Sequence, residues 1–63
     1  MIYDNVKRRA EELKKTIAGI ETEAGIANGT IAGWRSGSRP YADTLYKVAC
    51  VLGCTIEELL KEG

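Results

Sequence analysis

Apolar residues recur at Ile2, Val6, Ala10 and Leu13, a 4-4-3 spacing that puts them on one side of a helix running from about residue 2 to 14. Lys7, Arg8, Glu11 and Glu12 then face water, and Lys14-Lys15 brings positive charge to the last turn, against the negative end of the helix dipole. Thr16 suits an N-cap, because its hydroxyl can accept from an amide two or three residues on. It opens a second helix over 17–24 with the stripe Ile17, Ile20 and Ala24. Gly25 can take the left-handed conformation that stops a helix and turns the chain. Ile26 re-enters the core, and a third helix over 28–35 buries Ile31 and Trp34, three apart, with Thr30 beside them. Its outer side carries Asn28, Gly29, Ala32, Gly33 and Arg35. Ser36-Gly37-Ser38-Arg39-Pro40 is a loop by composition. Leu45, Val48, Ala49 and Leu52 form the stripe of a fourth helix over 42–52, ended by Gly53. Thr55-Ile56-Glu57-Glu58 is a capping box that opens a fifth helix over 56–61, carrying Leu59 and Leu60. With no strand-like alternation, repeat or linker, the chain reads as one all-α domain over 1–63.

A chain of 63 residues buries only about 60% of the surface its unfolded form exposes, so the core must be small and locally built. There is no Phe, and Trp34 and three tyrosines are the only large rings. Nine basic and nine acidic residues cancel, leaving no global field to steer the molecule. The distribution is uneven, however. No carboxylate lies between Glu23 and Asp43, a window that holds Arg35 and Arg39, whereas Glu11, Glu12, Glu57, Glu58 and Glu62 gather towards the ends. Lys7-Arg8-Arg9 reads as a solvated face, and Glu21 and Glu23 read as surface residues.

Several classes of activity find no footing in these residues. No apolar run approaches the roughly 18 residues of a membrane span, and Met1-Ile2-Tyr3-Asp4 does not open a signal peptide, so a cytoplasmic protein is expected. Cys50 and Cys54, four apart and without any His, cannot complete a zinc tetrahedron, and they read as an incidental and a reduced core cysteine. Without His there is no Ser-His or Cys-His pair, and there is no phosphate-cradling glycine loop. A non-enzyme with no cofactor, no metal and no small-molecule ligand is expected.

Thr16, Ile20, Gly25, Ile26, Ile31 and Trp34 describe a short helix, a turn pinned by glycine, and a second helix docked on the first. Such a pair exposes the N-terminal half of the second helix, whose free amides suit a phosphate and whose first side chains can reach base edges in a major groove.

The stretch from Thr16 to Gly37 resembles the helix-turn-helix of the Cro/C1 repressor family, also called the xenobiotic-response-element type, and Asn28-Gly29-Thr30-Ile31 followed by Trp34 is similar to one of its common subgroups. Arg39-Pro40, Thr44-Leu45, Val48-Ala49, Leu52-Gly53 and Thr55 to Leu60 resemble the family's fourth and fifth helices. The likeness covers about three quarters of the chain. It implies a five-helix, lambda-repressor-like domain that binds double-stranded DNA as a small transcriptional regulator, a repressor, working as a homodimer on half-sites about one helical turn (~34 Å) apart. It also implies base-reading positions at Asn28, Gly29, Ala32 and Gly33, and DNA-backbone contacts at Ile17, Ser36, Ser38 and Arg39, with Arg35 added for its charge.

Four positions depart from the family pattern. Ile17 replaces the glutamine that often opens the second helix, leaving only its backbone amide to serve. Ala27 stands where a serine usually caps the recognition helix, forgoing about 1 kcal/mol of capping. Arg9 and Lys15 occupy sites often apolar. The recognition surface is bare: Asn28 can pair with an adenine and Ala32 can touch a thymine methyl, but Gly29 and Gly33 offer no side chain, so readout should lean on close backbone approach and DNA shape. The neutral charge and the Ala/Gly-rich helix keep a second reading open, the same fold used as a dimerising or protein-interaction module. A chain ending at Gly63 is expected either to act alone or to be part of something longer.

Overall fold

The computed structural model describes residues 2–61; Glu62, placed above among the terminal carboxylates, lies outside them. Five helices follow one another: α1 (Ile2–Glu12), α2 (Ile17–Ala24), α3 (Thr30–Arg35), α4 (Ala42–Leu52) and α5 (Ile56–Leu60). Among the described residues there is no strand, and none of their helices is long and apolar enough to cross a membrane. The core draws on every helix: Val6 and Ala10 from α1, Ile20 from α2, Ile31 and Trp34 from α3, Leu45, Val48, Ala49 and Leu52 from α4, and Leu59 from α5. Ile17, Ala24, Ile26 and Cys54 pack against it half-buried. α2 lies on α4, and α1 bridges α3 and α5.

The local end signals act as their chemistry dictates. The Thr16 hydroxyl accepts from the Gly19 amide at 3.0 Å. Thr55 and Glu58 form both arms of a capping box. Gly25 and Gly53 end α2 and α4 in the left-handed region, at φ 72° and 66°.

Three expected boundaries shift. α1 stops at Glu12 rather than residue 14, because Lys14 itself takes a left-handed conformation (φ 58°) and the Lys15 amide returns to the Ala10 carbonyl at 2.8 Å. Leu13, expected in the stripe, is consequently 36% exposed, and Lys14-Lys15 falls beyond the helix. α5 ends at Leu60, with Lys61 extended at its C-cap; Leu59 is buried, while Leu60 is half-exposed. α3 begins at Thr30 rather than Asn28, for reasons that belong to the site.

Long-range polar contacts tie the ends of the helices together. Asn5, buried on α1, donates to the carbonyls of Leu59 (2.8 Å) and Lys61 (2.6 Å), which lie at the end of α5 with no further helical turn to donate to them. Arg9 Nε donates to the Leu52 carbonyl at the end of α4 (2.9 Å), where a cation also complements the helix dipole. Lys15 pairs with Glu23 at 2.8 Å, joining the connection after α1 to α2. The two cations at positions often apolar in the family thus hold termini and faces together.

Candidate nucleic-acid interface

α2 and α3 are joined by a turn that two glycines make possible. At its start the Gly25 amide bonds the carbonyls of Glu21 and Thr22, and the Ile26 amide bonds the Glu21 carbonyl at 3.0 Å, which is the hydrogen-bond pattern of a left-handed helix stop. At its end Gly29 sits at φ 91°, a conformation open to glycine and strained for other residues. Asn28-Gly29 is therefore turn, not helix, and this moves the start of α3 to Thr30. The turn is closed by Thr30, whose amide and hydroxyl both donate to the Ala27 carbonyl, at 3.2 and 2.6 Å.

Beyond the turn, α3 has only six residues. Ile31 and Trp34 anchor it in the core, so Trp34 is a packing residue with its ring turned from solvent. A six-residue helix leaves its first amides in need of partners, and Gly29, its N-cap, has no side chain to supply one. Ala27, at the position where the family often has a capping serine, makes no side-chain bond either. The partner comes from α2. Glu21, only 3% exposed, accepts from the Gly29 amide with both oxygens at 3.1 Å and from the Ile31 amide with Oε2 at 2.9 Å.

This corrects two expectations. Glu21 is not a surface residue, although Glu23 is. Nor are the Gly29 and Ile31 amides at the start of the recognition helix free for a phosphate, because an internal carboxylate already holds them. The cap also reaches further than a serine's, since one carboxylate accepts from two amides.

The residues expected to meet DNA are distributed along and around α3. Asn28 and Gly29 lie exposed in the turn, Ala32 is exposed on the helix, and Gly33 is half-buried on it. Arg35 ends α3 and Ser36 caps it, both exposed. Ser38 is exposed but folded back, its amide bonding the Gly33 carbonyl at 3.2 Å, which places the loop beside the helix. Arg39 is exposed in that loop. Ile17 stands apart, half-buried at the first position of α2. From residue 24 to 42 the exposed charges are thus Arg35 and Arg39, and the carboxylate of Glu21, which contacts the start of α3, is turned inward against backbone.

The cysteines lie away from this face. Cys50 is exposed on α4, and Cys54 is half-buried before α5; both are free. Burial and the Glu58 carboxylate push the Cys54 thiol above its ordinary pKa, with Arg9 opposing more weakly. It is therefore held as an unreactive thiol at neutral pH.

Comparison with known proteins agrees with this geometry. A family model described as helix-turn-helix matches residues 6–59, from the buried Val6 of α1 to the buried Leu59 of α5. Among the curated proteins and the solved structures, no match is found.

Proposed function

The chain belongs to the Cro/C1-type helix-turn-helix family, a family of DNA-binding regulators, and from that premise we propose that it recognises a specific double-stranded DNA site as a small transcriptional repressor. α3 enters the major groove, with Asn28, Gly29, Ala32 and Gly33 towards the bases and Arg35, Ser36, Ser38, Arg39 and the Ile17 backbone amide towards phosphates. The observation that carries this reading is the asymmetry of α3: apolar Ile31 and Trp34 inside, small and polar residues outside, and only cations among the exposed charges of the surrounding segment. No chemistry is asked of the protein. It acts by occupying DNA, and the cytoplasm is the place of action we propose for it.

Size favours a pair of copies. The fold measures 26 × 23 × 19 Å and carries one recognition helix, whereas successive major grooves on one face of DNA are about 34 Å apart. Reading two half-sites requires a second copy, and we propose a two-fold homodimer on DNA.

The test is an anisotropy titration of labelled random-sequence duplex at about 50 and about 200 mM salt. Arg35 and Arg39 from each of two copies neutralise about four phosphates, and a slope near −0.9 per phosphate predicts about a hundredfold loss of affinity across that range. Arg39→Ala should roughly halve the slope. Absence of binding at low salt would refute the DNA reading and direct the search to protein partners of the same face.

Gly33 allows a sharper check. Its backbone is helical and a Cβ there would meet only the Ser38 hydroxyl, at 4.0 Å, so nothing in the fold requires glycine. Gly33→Ala should stabilise the protein by about 0.5–1 kcal/mol, raising Tm by roughly 2–8 °C for a domain of this size. It should also weaken DNA binding several-fold, because the added methyl stands where the helix backbone approaches the groove. Affinity that holds or rises with Tm would show that DNA does not approach there.

A further inference from the structure

We propose that Glu21 is a specificity-determining positioning residue: by holding the Gly29 and Ile31 amides with its carboxylate, it fixes the turn that presents Asn28 and keeps DNA phosphates away from the start of the recognition helix. The inference rests on the DNA-binding reading and goes beyond it, because Glu21 itself touches no DNA.

The argument begins with what an anion would do at this place. The start of a helix attracts negative charge, through amides without partners and through the positive end of the peptide dipoles. On DNA the most abundant anion is phosphate, which carries no sequence information. If phosphate took these amides, α3 would be drawn end-on to the backbone of the duplex. Glu21 fills that position from within, 3% exposed and bonded at 2.9–3.1 Å. Its negative charge also repels a second anion.

The same bonds fix geometry. Gly29 is conformationally permissive at φ 91°, and Asn28 precedes it in an exposed turn. The carboxylate grips the amides on both sides of Thr30, so the orientation of Asn28 relative to α3 depends on a side chain eight and ten residues earlier in the sequence.

Glutamine at this position distinguishes a charge-dependent cap from mere filling of space. Its single amide oxygen, at the Oε2 position, can still accept from both the Gly29 and the Ile31 amides, but its NH2 group then stands at the Oε1 position, 3.1 Å from the Gly29 nitrogen, donor against donor. Shape is kept while the charge is lost and one of the two acceptors at Gly29 becomes a donor.

The experiment compares wild type, Glu21→Gln and Arg39→Ala on two probes: random-sequence duplex, and the duplex enriched from a randomised pool by the wild-type protein. Circular dichroism first sets a temperature at which all three are folded. Glu21→Gln should lose about tenfold on the enriched duplex while its affinity for random duplex stays the same or rises up to about threefold, as the obstacle to phosphate is removed. Arg39→Ala should lower both affinities by a similar factor. A Glu21→Gln protein that keeps the wild-type ratio of the two affinities overturns the proposal and leaves the DNA reading standing, and so does one that loses both affinities in proportion. A wild-type protein that binds random duplex but enriches no sequence also overturns it, since there is then no specificity to set. A wild-type protein that binds neither probe refutes the DNA reading, and the role of Glu21 falls with it.

Discussion

Replacing Trp34 by alanine is expected to remove about half or more of the stability that holds the protein folded at 25 °C. The indole is 5% exposed and belongs to the core cluster that all five helices share. Truncating a buried Trp to Ala costs about 3–5 kcal/mol through lost burial and the cavity left behind. A domain of 63 residues has a total stability of roughly 3–9 kcal/mol at 0.05–0.15 kcal/mol per residue. The loss is thus of the same order as the whole. Urea unfolding followed by circular dichroism reads it directly, and Trp34→Phe, which keeps most of the volume, should lose far less. The alternative for an aromatic ring in a DNA-binding helix is stacking on bases. In that case Trp34→Ala would leave Cm nearly unchanged and weaken DNA binding alone. The burial of Trp34 predicts the opposite order of effects, and the sole Trp supplies its own probe: wild-type emission should be blue-shifted and insensitive to added duplex.

Trp34 was legible from its spacing, and so was most of the architecture. Thr16, Gly25, Gly53 and the Thr55–Glu58 pair are local devices whose partners lie within a few residues along the chain, so sequence alone identifies them. The misplaced boundaries also have local causes. A Lys at φ 58° ends α1, and lysine carries no signal for the left-handed region. Asn28-Gly29, by contrast, is a strong turn dipeptide, and its signal could have moved the start of α3 to Thr30.

The polar contacts that position the site were not legible, because they join residues far apart in sequence. Asn5 reaches the carbonyls of Leu59 and Lys61, and Arg9 reaches Leu52. Glu21 is the instructive case. A Glu on a short helix has the pattern of a solvated residue, and only the turn through Gly25 and Gly29 brings the first amides of α3 over it. The missing cap at Ala27 was visible in the sequence; what replaced it was not. The site residues themselves, from Asn28 to Arg39, were named from resemblance and charge, and the structure leaves most of them exposed around α3. Their contacts with DNA remain the proposal that the titrations test.

Asn28 should then carry the largest single effect on recognition. It is the only base-facing position of the four whose side chain can make a bidentate contact, matching the N6 and N7 of adenine in the major groove, and such a pair contributes about 1–3 kcal/mol of discrimination. Asn28→Ala is therefore expected to weaken binding to the enriched duplex by about 5- to 150-fold per half-site. Stability should move by no more than about 0.5 kcal/mol, since the side chain is exposed and makes no hydrogen bond among the described residues. Binding to random duplex and its salt slope should not change, because no phosphate contact is lost. That combination separates base reading from a turn-forming role. If Asn28 served only to shape the turn with Gly29, its replacement would lower Tm and weaken both duplexes together. A mutant that keeps its Tm, its random-duplex affinity and its salt slope, yet no longer prefers the enriched sequence, can have lost only the contact that reads the base.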